Sequence, residues 1–190
     1  MPGVIHISEN RLILKSLMFI VIQLIPVALN AQTDKKLIRQ GNREYEKGKF
    51  PESEISYRKA IDKNKQSPDA VFNIGDALYK QKKFEEAGKQ FVENTNQNDD
   101  KVKKAAGLYN LGNSLLKANK VEESIDAYKN SLKLRPDNKE AKYNLSYAQD
   151  LLKKQQEQQK QQQDKDKQDQ NKDKNKKDQK KDQKDQNEKK

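Results

Sequence analysis

The chain has 190 residues, 32% apolar and 36% charged, with a net charge of +11. It has no Cys and no Trp, and its one His is His6; this excludes disulfides, thiolate nucleophiles and sulfur-ligated zinc, and a mature chain that has lost His6 has neither the commonest proton shuttle nor the commonest nitrogen ligand for a metal. The last 38 residues, 153–190, hold 14 Lys, 9 acidic groups, 12 Gln and 3 Asn and nothing apolar, so only about 120 residues between a leader and this tail can build a core, enough for one modest domain.

The leader comes first. Arg11 and Lys15 precede the run SLMFIVIQLIPVAL over 16–29. Fourteen helical residues span about 21 Å, short of the roughly 30 Å of a bilayer core. Basic residues, a short apolar run and a small residue at Ala31 have the layout of a secretory signal peptide over 1–31, cut before Gln32. The alternative is an uncleaved anchor in the inner membrane. Both readings take the folded part out of the cytoplasm, and the expectation is an exported, periplasmic protein.

Three segments then align on a glycine: KLIRQGNREYEKGKF, AVFNIGDALYKQKKF and GLYNLGNSLLKANKV. Gly41 and Gly75 are 34 residues apart, and Gly112 follows after 37. This pattern resembles the tetratricopeptide repeat (TPR), and the resemblance implies an all-α solenoid of helical hairpins with repeats at 34–67, 68–101 and 105–138. In such a hairpin the two helices approach most closely at small side chains. Gly41, Gly75 and Gly112 on the first helices, with Ser53, Ala87, Ser124 and Ala60 on the second, are the expected packing contacts. Phe50, Phe84 and Val121, and Tyr57, Phe91 and Tyr128, fill the space beside them. Asn94 falls at a tight crossing and needs a partner or an outward turn. The three extra residues near 99–104 are expected to lengthen the second helix of repeat two or the loop after it.

A solenoid end needs a covering helix with one polar side. Ala141, Leu145, Ala148 and Leu152 recur at the right spacing within 139–163, and AKYNLSYAQ echoes the first helix of a further repeat. Beyond it, 164–190 alternates Lys with Asp and carries no apolar stripe, so it is expected to be a disordered polar tail. Its charges are mixed, and it holds no Arg and no aromatic ring. Nucleic-acid binding is not expected; a solvating spacer is the favoured reading, and weak contact with an anionic surface is the alternative.

In a TPR array the first helices line an inner groove. The resemblance places Ile38, Asn42 and Tyr45 there from repeat one, and Phe72, Asn73, Asp76 and Tyr79 from repeat two. Repeat three adds Tyr109, Asn110, Asn113 and Leu116; the cap adds Tyr143, Asn144 and Tyr147. Amides can hold the backbone of an extended peptide and tyrosines supply contact area. For Tyr45 and Tyr79 groove and core are equally open. One TPR subclass clamps a terminal carboxylate with lysines, asparagines and an arginine; this chain matches at Asn42 and Asn73 only, with Ile38, Ala106 and Asn110 where the cations would stand.

The order of parts, a leader ending NAQ, a first repeat close behind it, the third repeat SIDAYKNSLKLRPDNKEAKYNLSYAQ and a Gln/Lys/Asp tail, resembles the BatC-like TPR proteins of the bacteroidete aerotolerance (Bat) operon. That resemblance implies a non-enzymatic adaptor in an envelope complex. Its partners would be membrane-anchored von Willebrand A-domain proteins, in a system linked to a MoxR-type ATPase and to oxygen or stress tolerance. A structural alternative is a cell-wall or outer-membrane assembly factor tethered by the basic tail. No catalytic residue, cofactor or metal is expected, because no nucleophile–base constellation or phosphate-cradling loop is present.

Overall fold

The computed structural model describes residues 33–187 and Lys15, with side chains as far as Gln163 and at Lys165. The expected leader, 1–31, lies outside the described residues apart from Lys15. Among the described residues the chain is entirely helical: α1, described over 33–46, then α2 (Phe50–Lys63), α3 (Pro68–Lys80), α4 (Phe84–Gln97), α5 (Lys101–Lys117), α6 (Val121–Leu134) and α7 (Lys139–Asn187). Helices consecutive in the chain pack on one another, and α3 also touches α5 as α5 touches α7. The result is a stack of hairpins, α1/α2, α3/α4 and α5/α6, closed by α7. None of the described helices is long and apolar enough to cross a membrane.

Each hairpin turns in the same way. Gly48 N–H donates to the Tyr45 carbonyl and Lys49 N–H to that of Glu44; Lys82 and Lys83 repeat this with Tyr79 and Leu78, and Asn119 and Lys120 with Leu116 and Leu115. These paired bonds close the helix C-terminus around one left-handed residue. That residue is Gly48 at φ 73° in the first turn, but Lys82 at 62° and Asn119 at 61° in the others. Pro51 and Pro68 lie in the first turns of α2 and α3, where their missing N–H leaves no bond unmade.

The small residues sit where a ring leaves no room for more. A Cβ built on Gly41 would lie 2.5 Å from Tyr57, one on Gly75 2.7 Å from Phe91, and one on Gly112 2.5 Å from Tyr128. The rings therefore lie on the glycines rather than beside them. Ser53, Ala60, Ala87 and Ser124 are fully buried on the second helices. Two apolar clusters result. One joins Tyr57, Ile74, Leu78 and Phe91 across the first two hairpins, and the other joins Val121, Ile125, Tyr128 and Ala148 against the cap.

Asn94 finds its partner inside, its amide donating to the Pro68 carbonyl at 2.7 Å; Ser131, one repeat later, donates likewise to the Ala105 carbonyl at 2.7 Å. The Asn94 Oδ1 is buried without a hydrogen bond and lies where a Gly107 Cβ would come within 2.7 Å of it.

One stretch departs from the sequence expectations. The extra residues of repeat two lengthen neither α4, which at 14 residues matches α2 and α6, nor its following loop. They extend the start of α5, because Asp100 caps the added turn, its Oδ1 accepting from the N–H groups of Val102 (2.7 Å) and Lys103 (3.2 Å). At the other end, α7 is helical as far as Asn187. The backbone there meets no Gly or Pro, and Gln, Lys and Glu are good helix formers. Packing ends earlier. Asn138 caps α7 through the Ala141 N–H, Ala141 and Ala148 are buried, Leu145, Leu151 and Leu152 are half-buried, and Leu152 is the last apolar side chain.

Candidate partner-binding groove

The first helices α1, α3, α5 and the cap α7 lie side by side, and hydrogen bonds between their amide side chains run across all four. Asn73 donates to the Asn42 Oδ1 at 3.4 Å and Asn110 to the Asp76 carboxylate at 3.1 Å. Asn144 donates to the Asn113 Oδ1 at 2.9 Å and to the Tyr109 Oη at 3.3 Å. Asn113 donates in turn to Asn110 at 3.5 Å.

Two of these amides are also anchored from below. The hydroxyl of Tyr57 donates to the Asn42 Oδ1 at 2.9 Å, and that of Tyr128 to the Asn113 Oδ1 at 2.8 Å. Both pairs are 15 residues apart, the same register in repeats one and three. In repeat two that register puts Asp76 opposite Phe91, which has no hydroxyl. Asp76 thus accepts from Asn110 alone, and no second donor among the described residues reaches its carboxylate. Burial pushes its carboxyl up to about 6, with the Lys80 ammonium working against the rise. Burial likewise pushes the Tyr57 phenol up to about 12, and raises that of Tyr128 further.

The apolar groove candidates divide their surface. Ile38, Tyr45, Phe72 and Tyr79 are half-buried against the first core cluster, and Tyr109 and Leu116 against the second. Tyr45 meets Phe50 edge-on at 5.2 Å, Tyr79 meets Phe84 at 5.3 Å, and Phe72 meets Phe91 at 5.5 Å. Tyr45 and Tyr79, for which core and groove are both open in the sequence, pack partly buried against the core cluster. Tyr143 and Tyr147 on the cap are 73% and 53% exposed.

A recess of about 180 Å³ opens at the α1–α3 end, lined by Asn42, Tyr45, Glu46, Tyr57, Asn73 and Asp76. Glu46 was missing from the sequence candidates, although its place one residue after Tyr45, at the end of the groove-facing stripe, was the available signal. Tyr57 was read as core alone; its hydroxyl reaches the groove because Gly41 lets the ring lie flat against α1. At the positions that carry cations in carboxylate-clamping repeats, Ile38 packs into the core and Asn110 commits its amide to Asp76. The described residues hold no group of three or more His, Cys, Asp or Glu side chains placed to bind a metal.

Comparison with known proteins follows this geometry. Residues 41–87 match a family model described as TPR repeat, and residues 105–138 one described as tetratricopeptide repeat. The unmatched stretch between them contains the lengthened start of α5. No curated protein sequence matches the chain. Among solved structures, the first TPR of Spaghetti (RPAP3) bound to the HSP90 peptide SRMEEVD is similar with a TM-score of 0.59 and 26% identity, over 64% of this chain and 94% of that one. The first TPR domain of human RPAP3 gives 0.60 and 25%, over 66% and 96%. The Arabidopsis OM64 TPR domain, at 0.59 and 19% over 64% and 98%, shares the fold.

Proposed function

We propose that this array of tetratricopeptide repeats works as an exported adaptor, holding partner proteins in an envelope complex of the Bat type, with membrane-anchored von Willebrand A-domain proteins as the partners. Tetratricopeptide repeats make a scaffold for protein–protein interaction, and the bound HSP90 peptide of the RPAP3 domain illustrates the mode. The observation that carries the reading here is the row of polar side chains across four helices, hydrogen-bonded in two groups, with half-buried tyrosines on α1, α3 and α5. It offers donors, acceptors and flat apolar area to an extended polypeptide, already held in place by the Tyr57 and Tyr128 hydroxyls. The leader over 1–31 supports export, and the order of leader, repeats, cap and tail supports the Bat context.

The three clamp positions without cations argue that the partner is not held by a terminal carboxylate, because charge-assisted bonds to it would be missing. The mechanism is binding alone. Affinity capture of the intact protein from envelope extract is expected to recover the neighbouring von Willebrand A-domain protein. The double substitution Asn73→Ala and Tyr109→Ala is expected to reduce that yield at least tenfold. An unchanged yield, or recovery of no envelope protein, counts against the adaptor; N-terminal sequencing of the exported chain checks the cut before Gln32.

A further inference from the structure

We infer that the recess between α1 and α3 receives a lysine or arginine side chain from an extended segment of the partner. The inference rests on the adaptor reading and assigns chemistry to one end of its groove. Three observations on this chain lead to it. The recess is about 180 Å³, room for the end of one long side chain, and its only formally charged lining groups are Asp76 and Glu46. Asp76 sits in the register where repeats one and three place an asparagine saturated by a tyrosine hydroxyl, yet it faces Phe91 and accepts one amide N–H. A half-buried carboxylate has lone pairs for two or more further donors, and leaving them unmade costs more than making them returns in water. Finally, Tyr45 and Tyr57 line the recess together with the linked pair Asn42 and Asn73, whose amide oxygens are further acceptors for a donor-only cation.

A guanidinium or ammonium entering this space would meet the carboxylates of Asp76 and Glu46. An acidic side chain would meet the same two carboxylates, and Lys80, whose ammonium acts on Asp76, is not among the lining residues. The selectivity is therefore opposite to that of a carboxylate clamp, although Asn42 and Asn73 occupy positions such a clamp also uses. The chain's own Lys-rich tail carries the right charge as well, so the test must separate it from a partner.

The test uses the full chain, labelled with nitrogen-15, and three end-capped extended peptides identical except for a central lysine, norleucine or glutamate. The lysine peptide is expected to shift the side-chain amide signals of Asn42 and Asn73 and to bind at least tenfold tighter than the glutamate peptide. Asp76→Asn, which keeps an acceptor for Asn110, is expected to abolish the preference for lysine, with thermal melting as the check on folding; Glu46→Gln, on the exposed rim, is expected to weaken it. Equal binding of the three peptides, or a lysine preference that survives both substitutions, overturns the inference. If the same amides already sit at their bound positions in the free chain and move when salt is raised, the occupant is the chain's own tail and the partner assignment fails. Envelope capture that is lost with the Asn73 and Tyr109 double variant but kept with Asp76→Asn would leave the adaptor standing and remove this inference alone.

Discussion

Asp76 carries the clearest consequence at the scale of single residues. Its carboxyl titrates near 6 in the folded chain because burial disfavours the charged form, against an ordinary 3.8. Below about pH 4 the group is protonated in both folded and unfolded chains and costs nothing. Between about pH 4 and 6 the unfolded chain ionises this group while the folded chain still holds its proton, so stability falls across that window and levels off above it. Asp76→Asn should therefore be more stable than the natural chain by roughly 2–3 kcal/mol at pH 8, the gap closing as pH falls toward 4. Urea denaturation of both proteins at the two pH values measures it, and a gap independent of pH would show that burial does not set the titration. The resemblance to the tetratricopeptide repeat assigned residues to the first helices, but the hydrogen bonds among them could not be read from it. The Tyr57–Asn42 and Tyr128–Asn113 bonds each join two helices of one hairpin, and only the fold shows that an Asp opposite a Phe breaks the series. Asn94 illustrates the same limit: its polarity at a crowded crossing was visible, while its acceptor, a proline carbonyl 26 residues back, was not.

All three hairpins use one turn with one left-handed residue, and only the first spends a glycine on it. Lys82 holds φ 62° with a Cβ in the way, at a cost of about 1 kcal/mol. Lys82→Gly should accordingly stabilise the chain by about 0.5–1 kcal/mol, read as an upward shift of the melting temperature; no gain, or a loss, would mean that the lysine side chain contributes more than its backbone costs. The helices themselves were legible because their apolar stripes recur every three to four residues and because Gly48, Pro68 and Pro136 punctuate them. The lengthened start of α5 was not. Three surplus residues fit equally well at the end of one helix, in a loop or at the start of the next, and the choice fell to Asp100, whose side chain supplies a cap that Asn98 and Asp99 do not.

Across the whole molecule, contacts pass almost entirely between neighbouring helices, so the stack has the near-linear cooperativity of a solenoid. Its two apolar clusters lie toward opposite ends, and the second depends on α7 through Leu145, Ala148 and Leu152. Leu145→Ala should loosen the cap and speed hydrogen exchange in α6 and the end of α5, while leaving α3 and α4 near their natural protection. Uniform acceleration along the chain would indicate instead a single cooperative unit. The need for such a cap was legible, since a hairpin array leaves an apolar end that the 139–163 stripe suits. The surplus turn at α5 has a practical consequence for anyone modifying the protein. Asp99 and Asp100 are exposed and stand where the chain has already accommodated added length at the open end of a helix, so an epitope tag or fluorophore-attachment sequence spliced between them would leave the register of the Asn–Tyr row undisturbed.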